Sequence, residues 1–161
     1  MLIKEIQLRN YDYASRHGLS ERIARKRLVK QGFKVYRGIG FFGFKAIKVD
    51  YPAVVNKYKE LESELTGRLG YSLFAIQLAL GSAKGIPDFL CLSDKEIVFV
   101  EVKLEHESIK PHQLRVMRVL EDFGFKVMVF RLKQKVFRIE TEVSEGQRKV
   151  LLVQHKLRRR R

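Results

Sequence analysis

Residues 96–104, Glu-Ile-Val-Phe-Val-Glu-Val-Lys-Leu, constrain this chain more than any other stretch. So apolar a run reads as a strand covered on both faces of a sheet, yet it carries Glu101 and Lys103. Residues two apart on a strand share a face, so Glu101 and Lys103 project together while Val102 packs opposite. A second apolar stretch, residues 88–92, opens at Pro87-Asp88, and Ser93-Asp94-Lys95 reads as the turn between the two. If the strands pair across that turn, Asp88 faces Glu101, and two carboxylates and an ammonium are pooled on one face. Charges within apolar strands are costly unless paired or metal-bound. Oxygen ligands of this kind suit Mg²⁺ or Mn²⁺, an ion able to polarise a phosphodiester and orient a water. Lys103 can then orient that water or balance charge on the phosphate. A bare Glu-x-Lys is as readily an exposed ion pair at a strand end, so its neighbours must decide.

Those neighbours predict the order helix, strand, strand, strand, helix, strand, a mixed α/β unit. Tyr58, Leu61, Leu65 and Leu69 recur at helical spacing within Val54–Leu69, and Gly70 closes that helix. Strands are expected over 71–79, 88–92 and 96–104. Pro111 opens a helix that Gly124 ends, and residues 125–132 return as a strand. Upstream, residues 11–16, the turn at His17-Gly18-Leu19-Ser20 and residues 21–31 read as helix, turn, helix, with Ser20 as N-cap and Gly32 as the stop. Phe33–Arg37 and Phe42–Val49 around Gly38, Gly40 and Gly43 suggest a hairpin. Together these outline a winged helix; an ordinary helical pair with a solvated basic face has the same local pattern. Residues 134–143 and 147–154 suggest a further hairpin around Glu145-Gly146.

Charge divides along the same boundaries. The formal net charge is +15, from 33 Lys and Arg against 18 Asp and Glu. Residues 1–50 carry 12 basic and 4 acidic side chains, residues 51–130 carry 10 and 11, and residues 131–161 carry 11 and 3. A uniformly charged surface would spread acids through the flanks as well; segregated charge points to flanks that grip phosphates. The reading is therefore a basic DNA-binding element over 1–50, a catalytic core over 52–132, and a basic hairpin and tail over 133–161. The phosphate contacts expected are Arg22, Arg25, Lys26, Arg27 and Lys30 on one helix, Lys84 and Lys110 near the core, and Arg158, Arg159, Arg160 and Arg161 in the tail. The single cysteine, Cys91, excludes an internal disulfide and fits a small core residue. No apolar run approaches a membrane span, and the opening residues lack the apolar core of a signal peptide. The expected location is cytoplasmic, beside the nucleoid. His106 and His112 read as surface residues, and no His/Cys spacing suggests zinc.

Five features in order, Gly85-Ile86-Pro87-Asp88, Glu101-Val102-Lys103, the polar loop 105–110, Gln113 opening a helix and Gly124 before a strand, resemble the VRR-NUC branch of the PD-(D/E)xK nuclease superfamily. The set spans residues 84–130; archaeal Holliday-junction resolvases are more distantly similar. The resemblance implies a restriction-endonuclease-like mixed sheet flanked by helices, and a metal-dependent DNA endonuclease using Mg²⁺ or Mn²⁺. It implies metal ligands at Asp88, Glu101, the Val102 backbone carbonyl and a helix acid, with Lys103 catalytic and Gln113 leaning into the site. For the helix acid the choice is Glu62, which shares the inward face of Leu65 and Leu69 and matches the Glu-x-Glu-Leu opening of the resolvase helix. Glu64 is the runner-up, and Glu21 would require a long insertion before the first strand. The resemblance also implies flaps or four-way junctions as substrate and a homodimer, since symmetric junction cleavage needs two sites. Competing readings are a non-catalytic DNA-binding adaptor on the same fold, and a sequence-specific or RNA-directed nuclease. The intact Asp88, Glu101 and Lys103 set argues against the adaptor.

Overall fold

The hairpin expected around Ser93-Asp94-Lys95 is the centre of the molecule. In the computed structural model, which describes residues 1–8, 19–48, 51–82 and 84–134, β3 (Phe89–Leu92) and β4 (Ile97–Leu104) pair antiparallel, with Phe89 opposite Val100 and Leu92 opposite Ile97. Parallel strands need a crossover long enough for a helix, and α4 (Pro111–Asp122) supplies it between β4 and β5 (Lys126–Gln134). Two edge strands complete the sheet. β1 (Leu2–Leu8) runs parallel to β5, and β2 (Lys34–Arg37) runs antiparallel to β3. The order is β1-β5-β4-β3-β2, a mixed sheet in an α/β fold.

The two-residue period of the strands sorts the core into two layers. Val98, Val100 and Phe130 face Ala24 and Leu28 of α1 (Leu19–Lys30). Leu90, Leu92, Phe99 and Val129 face the opposite layer, made by α2 (Pro52–Leu69), α3 (Ser72–Leu80) and α4. There Phe99 meets Phe41 and Phe125 edge-on, with ring centroids 5.3 and 5.4 Å apart, the geometry the ring quadrupoles favour. Among the described residues no helix is long and apolar enough to cross a membrane.

Several expectations need correcting. The segment 71–79, read as a strand, is helix α3. Its Leu73, Ile76 and Leu80 are buried at helical spacing while Tyr71, Phe74 and Leu78 are exposed, so a nearly all-apolar run hid its 3.6-residue period. The winged-helix hairpin does not form. Its first half is β2, a strand of the main sheet, and its second half falls in two 3₁₀ turns, Gly38–Phe42 and Phe44–Ile47. Ser20 lies within α1 and not at its cap. The division at residue 50 crosses one continuous sheet, because β1 and β2 hydrogen-bond to β5 and β3; β1 itself had no counterpart in the sequence reading. The helix expected over 11–16, the hairpin over 134–154 and the arginines 158–161 lie outside the described residues.

Candidate active site

Period two on β4 puts Glu101 and Lys103 on the face toward α4, and both are buried, Glu101 at 1% exposure. Extending the β3–β4 register by one step from Phe89 and Val100 sets Asp88 opposite Glu101. Lys103 Nζ lies 2.8 Å from Glu101 Oε1. The same oxygen accepts from Gln113 Nε2 at 2.5 Å, and Gln113 Oε1 accepts from the Lys110 backbone N–H at 3.1 Å. Pro111 fixes the first turn of α4, so the helix start delivers Gln113 to the strand charge. Glu101 Oε2 is buried with no hydrogen-bond partner. An unpaired buried carboxylate oxygen is costly.

Asp88 is held differently. Its Oδ2 accepts from the Val102 backbone N–H at 2.8 Å. Burial, and then the charge of Glu101, push its carboxyl up to about 7, against the pull of the Val102 N–H; Glu21 raises it further and Lys103 lowers it. A site in which one carboxylate oxygen lacks a partner and the neighbouring carboxyl resists ionisation is short of positive charge. Hard oxygen donors short of charge fit a divalent cation, and the donors on offer are Asp88, Glu101 and the Val102 backbone carbonyl. Among the described residues no three His, Cys, Asp or Glu side chains are grouped to hold a metal on their own.

The structure brings Asp88, Glu101, Lys103 and Gln113 together. It does not bring Glu62 to them. Glu62 stands over Gly43, where a Cβ would lie 3.3 Å from its Oε1, and its charge is absent from the forces acting on Asp88. Glu64 is paired with Arg68 and Lys34. Glu21, on α1, does act on Asp88. Reading 71–79 as the first strand makes α2 the preceding helix and so selects Glu62; the strand hydrogen-bonded to β3 is instead β2, and the helix before it in the chain is α1. Arg22, Arg25, Lys26, Arg27 and Lys30 all point outward from α1, and Lys84 and Lys110 are exposed.

Two positioning residues escaped the sequence reading. Gly38 donates its N–H to the Asp88 carbonyl at 2.9 Å, and a Cβ there would lie 1.8 Å from the Pro87 carbonyl oxygen. Only glycine permits that approach. Arg131 stands opposite Lys103 in the β4–β5 register, and its Nη1 donates to the Leu104, Glu105 and Glu107 carbonyls at 3.3, 3.2 and 3.0 Å. It pins the loop that follows β4. The signal for Gly38 was present as a glycine-rich segment but pointed to a hairpin turn; Arg131 gave none.

No curated protein matches the chain. A family model described as the VRR-NUC domain matches residues 48–134, more than half of the sequence.

Proposed function

This chain belongs to the VRR-NUC domain family, and from that membership we propose a metal-dependent endonuclease that hydrolyses phosphodiester bonds in branched DNA such as flaps or four-way junctions. The family makes it a nuclease-type protein that binds DNA; metal dependence, the PD-(D/E)xK chemistry and branched substrates are our reading. One observation carries it: Glu101 is buried with Oε1 shared by Lys103 and Gln113 and Oε2 unpartnered, beside a second carboxyl at Asp88. A stabilising core would not leave a carboxylate oxygen in that state.

Asp88, Glu101 and the Val102 carbonyl would hold Mg²⁺ or Mn²⁺. The bound ion supplies Lewis-acid polarisation of the phosphodiester and a more acidic water. Gln113 fixes the rotamer of Glu101. The Lys103 ammonium, paired with Glu101, would offset the negative charge that builds on the phosphate as the water oxygen bonds to phosphorus and one P–O ester bond breaks; a proton from the water ends on the departing oxygen. Glu21 replaces Glu62 as the helix acid in this scheme. The exposed cations of α1 would supply phosphate contacts. Phe74 and Leu78 on α3, with Tyr71 at its N-cap, are exposed and would give a homodimer an apolar face, and sedimentation of a Phe74→Glu variant tests it. The DNA would be intracellular.

The deciding experiment incubates the full chain with labelled duplex, flap, four-way junction and single strand, with Mg²⁺, Mn²⁺ or EDTA. Cleavage of branched DNA that EDTA abolishes is expected. A chain that binds these DNAs but cuts none with either metal is an adaptor.

A further inference from the structure

A pocket of about 380 Å³ opens at the free edge of β2, between α1 and α2. It adjoins the site, because Arg37, which lines it, pairs with Phe89, and Gly38 bonds to the Asp88 carbonyl. Its rim carries Arg22, Arg25, Arg37 and Lys57. Among the described residues none of the three guanidiniums forms an ion pair. Its inner wall is apolar, built from Val35, Tyr36, Val54 and Phe89. Lys57 is fixed in that wall, with Nζ 4.9 Å from the Tyr36 ring centroid and 3.3 Å from the Val35 carbonyl oxygen that accepts from it.

We propose that this pocket receives one unpaired nucleotide of the DNA strand beside the cleavage site, its base against the apolar wall and its phosphate on the arginine rim. The proposal rests on the endonuclease reading for the identity of the partner, and it names what that enzyme selects. Three observations favour a nucleotide over a stretch of paired backbone. A duplex backbone needs a basic stripe and has no use for an apolar wall, whereas a base has a π-face that apolar and aromatic surfaces take up irrespective of sequence. The volume falls in the roughly 300–1,000 Å³ range of small-molecule sites, far more than a phosphate alone fills. Burial, and then the charge of Arg25, push the Lys57 amine down from its usual range, so cations are crowded here and an arriving phosphate relieves them. Extracting a base from a stack costs a few kcal/mol and least where the base is already unpaired. The pocket would therefore favour branched or bulged DNA over perfect duplex.

The test measures binding of the full chain in Ca²⁺ to two otherwise identical linear duplexes, one with a single-nucleotide bulge and one fully paired. The bulged duplex should bind about tenfold more tightly, the scale of one stacked base. Val54→Trp, which fills the pocket without removing charge, and Arg25→Ala, at an exposed rim position, should each reduce that preference to below about twofold. Thermal melts identify a variant that fails to fold, and Arg25→Ala decides the matter if Val54→Trp does so. Equal binding of the two duplexes by the parent, or a preference that survives in the folded variants, overturns the pocket. Cleavage of the same DNAs with Mg²⁺ separates the two ideas. Cutting without bulge preference leaves the enzyme standing and removes the pocket; bulge preference without cutting does the reverse.

Discussion

Helices α1 and α2 use one local pattern on opposite faces of the same sheet. Each buries apolar residues a turn apart, Ala24 and Leu28 in α1, Leu61 and Leu65 in α2, and each carries a glutamate suited to a nuclease site. α1 is joined to β2 by the short turn at Gln31–Phe33, so it runs back antiparallel to that strand. Its first turn then lies level with the strand end, where Arg37 pairs with Phe89 next to Asp88, and Glu21 acts on Asp88. α2 enters after the 3₁₀ turns, and Glu62 meets Gly43 instead. Whether a helix acid reaches the site depends on the strand that follows the helix, more than on the residues around the acid.

The comparison presumes a frame to which the two helices contribute, and that frame is the first thing to break. Glu101→Ala should abolish cleavage and also leave Lys103 buried without its partner, at a cost of about 3 kcal/mol or more. Urea unfolding beside single-turnover cleavage reads both effects. Asp88→Ala should abolish cleavage equally but cost far less stability, because it removes a carboxyl that burial already disfavours. If both variants still cut, neither helix has a site to serve. Lys103→Ala should come next, losing on the order of 10²-fold in cleavage rate at saturating DNA. Binding in Ca²⁺ should change little, since the phosphate contacts lie on the exposed helix. Lys103→Arg should rescue poorly, a planar fork being no substitute for a compact charge.

The helices themselves separate at a smaller scale. Glu21→Gln should slow single-turnover cleavage about tenfold, equivalent to about 1.4 kcal/mol of barrier. Glu62→Gln should change it less than about twofold, below 0.5 kcal/mol by the same conversion. A larger loss at Glu62 than at Glu21 would reverse the assignment and return the helix-acid role to α2.

The sequence made the centre of the molecule legible because each signal there was local. The turn at Ser93-Asp94-Lys95, the apolar run around Glu101 and Lys103, and Pro111 ahead of Gln113 all act within a few residues. They suffice to place Glu101, Lys103 and Gln113 and to pair Asp88 with Glu101. The edges were illegible for the converse reason. β1 and β2 become strands by pairing with β5 and β3 from far along the chain, and neither says so in its own residues. α3 is apolar at nearly every position, so its period shows only once Leu73, Ile76 and Leu80 are seen to be the buried ones. Misreading α3 as the first strand moved the preceding helix from α1 to α2, and Glu62 was chosen in consequence. The type assigned to one element thus decides which helix acid is assigned to the site.

The smallest effect reads the contrast between the helices without any catalysis. Asp88 has its carboxyl raised from 3.8 to about 7, chiefly by burial and then by Glu101, with Glu21 adding to it. In the unfolded chain the carboxyl loses its proton near its ordinary value; in the folded chain it keeps the proton until about pH 7. Between those points the folded state binds more protons than the unfolded, so stability in EDTA should fall as pH rises through the window. One group limits the slope to about 1.4 kcal/mol per pH unit. Asp88→Asn should flatten it and make the variant more stable than the parent above pH 7. Glu21→Gln removes one of the charges that raise Asp88 and should move the parent's midpoint to lower pH, whereas Glu62→Gln should leave it in place. Urea unfolding at half-unit pH steps, with carboxyl NMR titration of Asp88, measures the midpoint. An equal shift from both substitutions, or from neither, would mean that α1 and α2 stand in the same relation to the site.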